Sequence, residues 1–141
     1  MEVRIAGGWV RDKILGIVTH DVDVALNCTS GVQFATRLQT HLNHVPIGSD
    51  DNDIRETPKV AVISANPEQS KHLETATMRV HGMDVDFCNL RSGEIYQEHS
   101  RIPTTSMTFG TPLEDSLRRD FTINALFYNI ESKQVEDCTG Q

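Results

Sequence analysis

The sequence predicts a single α+β domain, and three observations predict it. A strand, a glycine pair and a helix follow one another at the N-terminus; alternating runs joined by short turns form two hairpin patterns; and two helical stretches carry capping signals at their starts. At 141 residues the chain fits one compact unit with room for a real core, and a second domain is not expected.

Val3-Arg4-Ile5-Ala6 reads as a short strand stopped by Gly7-Gly8, after which Val10, Ile14 and Ile17 recur at helical spacing. Val22 to Leu26 is a second strand. Ser30 with Gln33 three residues later is a capping-box signal before Phe34, Leu38 and Leu42, so a helix of about three turns should run from Gly31 to His44. The stretch from Pro46 to Asn66 reads as an irregular surface loop. Its Gly48-Ser49-Asp50-Asp51-Asn52-Asp53 cluster lacks the sixth-position glycine and distant glutamate of a calcium loop, so solvated acids are expected there. Leu73 to Val80 and Met83 to Leu90 form a hairpin around His81-Gly82. Thr111-Pro112-Leu113-Glu114 joins a capping threonine, a proline at the first helical position and a glutamate at the third, starting a helix expected to reach Asn124. Phe127 to Ile130 and Gln134 to Asp137 close the chain as a second hairpin.

Composition narrows the function. The formal charge of −7 gives no general basic footprint for gripping nucleic acid by its phosphates, so any such partner must be held locally or elsewhere. Cys28, Cys88 and Cys138 are odd in number and far apart, which argues against a disulfide framework or a zinc site and for a reducing, intracellular setting. The N-terminus has no basic-then-apolar leader pattern, and no apolar run approaches the roughly 18 residues of a membrane span. A soluble protein without a membrane partner is expected.

The chemistry concentrates in four places. Gly7-Gly8 lets the backbone approach a bulky anion, and the helix behind it aims free N–H groups and a positive dipole end at that anion. Arg11, in the first turn, can clamp phosphate oxygens through two parallel bonds. Asp21 and Asp23, two apart on a strand, share one face with backbones about 7 Å apart, while Val22 and Val24 face the core, so the acids can share hard cations. Asp84 and Asp86 repeat that spacing, and one of them suffices as a third carboxylate. Arg118-Arg119-Asp120 follows inside the last predicted helix. Together these groups suit displacement of pyrophosphate from a nucleoside triphosphate by in-line attack, with two divalent ions held by the acids.

The stretches "GGWVRDKILG", "HDVDVAL", "DVDFCNLR" and "RRDFTINALFYN", in that order, resemble the class II CCA-adding enzymes (tRNA nucleotidyltransferases), and "SKHLETATMRV" points to their eukaryotic, fungal-type branch. The resemblance covers nearly the whole chain. It implies a polymerase-β-type nucleotidyltransferase head spanning residues 1–141: a mixed, largely antiparallel sheet packed by helices. It also implies transfer of CMP and AMP from CTP and ATP to the 3′ end of tRNA. By position, Asp21 and Asp23 would hold two Mg²⁺ ions and Asp86 would be the third carboxylate. Gly7, Gly8 and Arg11 would lie on the triphosphate, with Arg119 and Asp120 on the nucleotide and its ribose. No histidine base is needed, so His20 is expected to be structural, and Trp9 to pack against the sheet. The family's base-selecting motif lies on a neck helix, and the neck, body and tail are absent from these 141 residues. Glu114-Asp115-Ser116-Leu117-Arg118 spells a similar E-D-x-x-R pattern, but it belongs to the helix before Arg119-Asp120 and does not inherit that role. The resemblance leaves the compartment open between mitochondrion, nucleus and cytoplasm. A poly(A) polymerase-type enzyme and a catalytically silent nucleotide-binding module are the competing expectations; intact Asp21, Asp23 and Asp86 argue against the second.

Overall fold

The computed structural model describes residues 1–44, 59–63, 75–92 and 109–141, which build one seven-stranded sheet. In chain order the elements are β1 (Val3–Ala6), α1 (Gly8–Ile14), β2 (Asp21–Leu26), α2 (Gly31–His44), β3 (Val60–Ile63), β4 (Thr75–Val80), β5 (Met83–Asn89), α3 (Pro112–Leu117), a 3₁₀ turn (Thr122–Asn124), β6 (Phe127–Asn129) and β7 (Gln134–Glu136). The strands lie in the order β3-β4-β5-β2-β1-β6-β7, and every neighbouring pair is antiparallel except β2 and β5. The expected mixed, largely antiparallel sheet is therefore present.

Alternation gives the sheet two unlike faces. On one, Val22, Val24 and Leu26 of β2, Ala76 and Met78 of β4, and Val85 and Phe87 of β5 form the main core with Ala35 of α2. Phe34 and Leu38 of α2 pack against it, the Phe34 and Phe87 rings lying 5.5 Å apart. Trp9 also packs here, as expected, 5.9 Å from Tyr128 and with the Lys13 ammonium over its ring. The other face carries a small apolar cluster of Ala6, Ala25, Leu90 and Phe127 beside open rows of polar side chains.

Local signals explain most element ends. Ser30 Oγ accepts from the Gln33 N–H to start α2, while the Gln33 side chain takes the Thr29 hydroxyl instead of closing a full capping box. Thr111 and Glu114 make both bonds of the box at α3. The α1 helix stops at Gly16, which has φ +71°; Gly16 N–H donates to Lys13 and Ile17 N–H to Asp12, the two bonds of a Schellman end. Only Val10 of the expected Val10-Ile14-Ile17 stripe is buried.

Two expectations are corrected. Residues 60–63, read as part of a loop, form β3, because the run Val60-Ala61-Val62-Ile63 completes an antiparallel pair with β4 at the sheet edge. The last helix does not reach Asn124 but ends at Leu117, leaving Arg118, Arg119 and Asp120 in a turn. The apolar residues along the expected extension face solvent, with Leu117 65% and Phe121 62% exposed, so burial does not reward further helix. Instead Ser116 Oγ donates to the Ala125 carbonyl and draws the chain around toward β6. The acidic cluster at 48–53 and the start of the expected strand at 73–74 lie outside the described residues.

Gly31 seats α2 on the sheet: a β-carbon there would overlap the Phe87 backbone carbonyl of β5. At this first helical position Gly31→Ala gains little helix propensity, and forcing α2 off β5 should give a net loss of about 2 kcal/mol. Urea unfolding checks the sign; a stabilised variant would contradict this packing.

Candidate active site

The parallel pairing of β2 and β5 sets Asp21 beside Asp84 and Asp23 beside Asp86, and the antiparallel pairing of β1 sets Ala6 beside Asp23. Three carboxylates of the predicted set, Asp21, Asp23 and Asp86, thus stand on two adjacent strands of the open face, at the point where β1 ends and the glycine turn begins. Asp86 accepts a 2.6 Å bond from the Thr77 hydroxyl, and Asp84 lies 3.8 Å from Arg79 in an exposed pair. Among the described residues no three acidic, histidine or cysteine side chains already converge on a cation position. His20 is exposed; its backbone carbonyl accepts from Asp84 N–H.

The Asp23 carboxyl is pushed above its ordinary range, first by loss of water on its protein side, although it reaches solvent on the other, then by Asp86; Arg119 pulls it down and Asp21 raises it again. Two residues beyond Asp86, Cys88 is pushed up to about 11 by burial and by the charges of Asp23 and Asp115, so it is a neutral thiol near pH 7. The donor set at this corner is therefore carboxylate oxygen, which suits a hard divalent ion rather than a thiophilic one.

Gly7 makes the turn with φ +64° and ψ −125°, a conformation that favours glycine, and its N–H donates to the Leu126 carbonyl. A β-carbon at Gly7 would stand 2.8 Å from Arg119 Nη1, so the turn also makes room for that guanidinium. Gly8 is looser, an added β-carbon lying 3.6 Å from Arg11 Nη2. Arg11 donates through Nε to Asp12 (2.8 Å) and through Nη1 to Asn124 Oδ1 (2.8 Å). Arg119 donates through Nε and Nη2 to Asp115 and through Nη1 to the Asn124 carbonyl, and its guanidinium lies 5.6 Å from the Phe127 ring centre. The structure brings Gly7, Gly8, Arg11 and Arg119 together. Asp120 is exposed and makes no hydrogen bond or ion pair among the described residues.

Sequence reasoning missed Asp115 and Asn124. Asp115, 2% exposed, takes Arg118 on one oxygen and Arg119 on the other, and accepts from the Arg91 N–H. The i to i+3 and i to i+4 spacing of Asp115 to the two arginines was a usable signal. Asn124 lies inside the RRDFTINALFYN stretch, but no charge or periodicity there marks it out.

A sheet of this topology with an acidic row beside a strand–glycine–helix turn defines a nucleotidyltransferase-type head. The chain belongs to the poly A polymerase head domain family, which it matches over residues 3–141. It is 55% identical, over 99% of its own length and 26% of the relative's, to the tRNA nucleotidyltransferase cca1 of Schizosaccharomyces pombe. It is 53% identical to the mitochondrial CCA tRNA nucleotidyltransferase of Saccharomyces cerevisiae, over 99% of this chain and 24% of that one. A solved tRNA nucleotidyltransferase complexed with a primer tRNA and an incoming ATP analog superposes with a TM-score of 0.62 at 25% identity, covering 99% of this chain and 32% of that one. The chain spans about a quarter of the length of these curated relatives.

Burial alone would push the Asp115 carboxyl up, and the bonds from Arg118 and Arg119 outweigh it, holding it below its ordinary range. A carboxylate lowered in the folded state contributes stability above its unfolded pKa, and that contribution fades as pH falls through the lower folded value. Because both arginines are partly exposed, Asp115→Asn should cost about 2 kcal/mol at pH 7, with the gap to the parent narrowing below about pH 4. Urea unfolding across that range checks it; a gap that widens on acidification would contradict the assignment.

Proposed function

We propose that this chain is the catalytic head of a template-independent RNA nucleotidyltransferase that adds CMP and AMP from CTP and ATP to the 3′ end of tRNA. The observation that carries the reading is the juxtaposition of Asp21, Asp23 and Asp86 with the Gly7 turn and the Arg11 and Arg119 guanidiniums. The names of relatives at more than half identity support the tRNA substrate and CCA addition over poly(A) synthesis.

In this reading Asp21 and Asp23 hold two Mg²⁺ ions and Asp86 completes the carboxylate set. The raised Asp23 carboxyl, lifted first by desolvation and then by Asp86, with Arg119 pulling it down, is compatible with a cation beside it. When bound, the ions lower the pKa of the attacking hydroxyl and offset charge on pyrophosphate. The backbone of Gly7 and Gly8 lies against the triphosphate, and Arg11 and Arg119 donate to its oxygens. The terminal tRNA 3′-hydroxyl gives up its proton to solvent, its oxygen bonds to the α-phosphorus, the bond from that phosphorus to the bridging oxygen breaks, and pyrophosphate leaves against the two guanidiniums. Asp120, exposed beside Arg119, contacts the ribose and favours ribonucleotides. With a net charge of −7, the chain leaves the body of the tRNA to be held by other parts of a longer polypeptide. The setting is intracellular, and relatives named as mitochondrial support that compartment, with nucleus and cytoplasm as further ones.

The test is head exchange. Residues 1–141 replace the matching quarter of the 55%-identical relative, and labelled CTP and ATP are offered with a tRNA lacking its CCA end. The chimera should add CCA, its Asp21→Ala/Asp23→Ala form should lose at least about a thousandfold in rate, and the 141-residue chain alone should add little or nothing. A folded chimera without activity, or ordered CCA addition by the chain alone, would overturn the corresponding part of the proposal.

A further inference from the structure

Arg11 and Arg119 come from opposite ends of the sequence, yet each guanidinium is held by the same pattern. Arg11 directs Nε and Nη2 to Asp12, at 2.8 and 2.7 Å; Arg119 directs Nε and Nη2 to Asp115, at 3.2 and 2.9 Å. Each then gives Nη1 to an oxygen of one residue, Asn124: the side-chain Oδ1 for Arg11, at 2.8 Å, and the backbone carbonyl for Arg119, at 3.1 Å. Each carboxylate ties its arginine to its own stretch of chain, adjacent for Asp12 and one helical turn back for Asp115. Among the described residues, only Asn124 ties the two arginines to each other.

We propose that Asn124 is a positioning residue that sets the spacing of Arg11 and Arg119, so that two guanidiniums meet a triphosphate as one prearranged cradle. The inference rests on the reading of the phosphate site given above. The amide orientation follows from chemistry: an oxygen must face the Arg11 donors, since an amide NH₂ there would have no acceptor. Hydrogen bonds occupy two of the five N–H groups of Arg11 and three of those of Arg119, leaving donors on both for phosphate oxygens. Without Oδ1, Arg11 keeps only its neighbour Asp12 and can swing with α1 side-chain freedom, whereas the backbone bond to Arg119 survives any substitution at 124. The side chain of Asn124 therefore acts on ligand binding through Arg11, and fixing that arginine in the free protein spares the ordering that binding would otherwise require.

The test is a double-mutant cycle on CTP binding with Mg²⁺, measured by calorimetry on the 141-residue chain, with circular dichroism confirming that each variant is folded. Asn124→Ala should weaken CTP about tenfold, Arg11→Ala at least as much, and the double variant should match Arg11→Ala within about twofold. In the absence of nucleotide, NMR of the guanidinium groups should show faster rotation of Arg11 in Asn124→Ala, with the Arg4 signals unmoved. Should Asn124→Ala fail to fold, Asn124→Ser, whose hydroxyl is too short to reach the same nitrogen, takes its place in the cycle. Additive losses, unchanged CTP affinity or unchanged Arg11 rotation would overturn the inference while leaving the site reading intact. Absence of CTP binding by the parent chain would overturn the site reading, and this inference with it.

Discussion

The site depends on one pairing: β2 runs parallel to β5 in a sheet whose other pairs are antiparallel. Parallel registry puts Asp21 and Asp23 abreast of Asp84 and Asp86, so acids from distant parts of the chain share one face. The opposite sides of the same strands, Val22, Val24, Val85 and Phe87, make the core under α2, and a one-residue slip would exchange the two sets. Register is therefore fixed by burial, and the acidic row follows from it. Desolvation first, and then the neighbouring Asp86, holds the Asp23 carboxyl above its ordinary range.

The rest of the site answers that charge. Arg119 reaches toward Asp23 from the turn after α3, and its own position is set by the buried Asp115, the Asn124 carbonyl and the Phe127 ring. Glycine at position 7 gives the guanidinium room, since a side chain there would meet it. A buried carboxylate bonded to two arginines is a weak source of net stability compared with apolar packing, because desolvation offsets much of the attraction. What it supplies is geometry, an arginine fixed before any ligand arrives.

Much of this was legible in the sequence. Strand alternation, the Ser30 and Thr111 caps and the hairpin turn at His81-Gly82 located elements whose ends are set by neighbours in the chain. The pairing of Asp21 and Asp23 on one face followed from the two-residue period. What failed had its cause in tertiary contacts. The helix expected to run from the Thr111 cap to Asn124 stops at Leu117, because Leu117 and Phe121 are exposed and burial does not reward continuation. β3 was hidden because its edge position needs only one partner and leaves Val62 and Ile63 largely exposed. Asp86 could not be separated from Asp84 by spacing; resemblance preferred it, and the register sets it abreast of Asp23. Asn124 holds two arginines from a segment with no periodic or charge signal, so only coordinates reveal it.

The most direct test of the account is thermal unfolding of the chain and its Asp23→Asn form at pH 7, each with and without millimolar Mg²⁺. If the acidic row is a charge cluster held ready for a cation, Asp23→Asn should be the more stable of the two without metal, and Mg²⁺ should raise the melting temperature of the parent but leave the variant nearly unmoved. A variant less stable than its parent without metal, or an equal Mg²⁺ response in both, would contradict it.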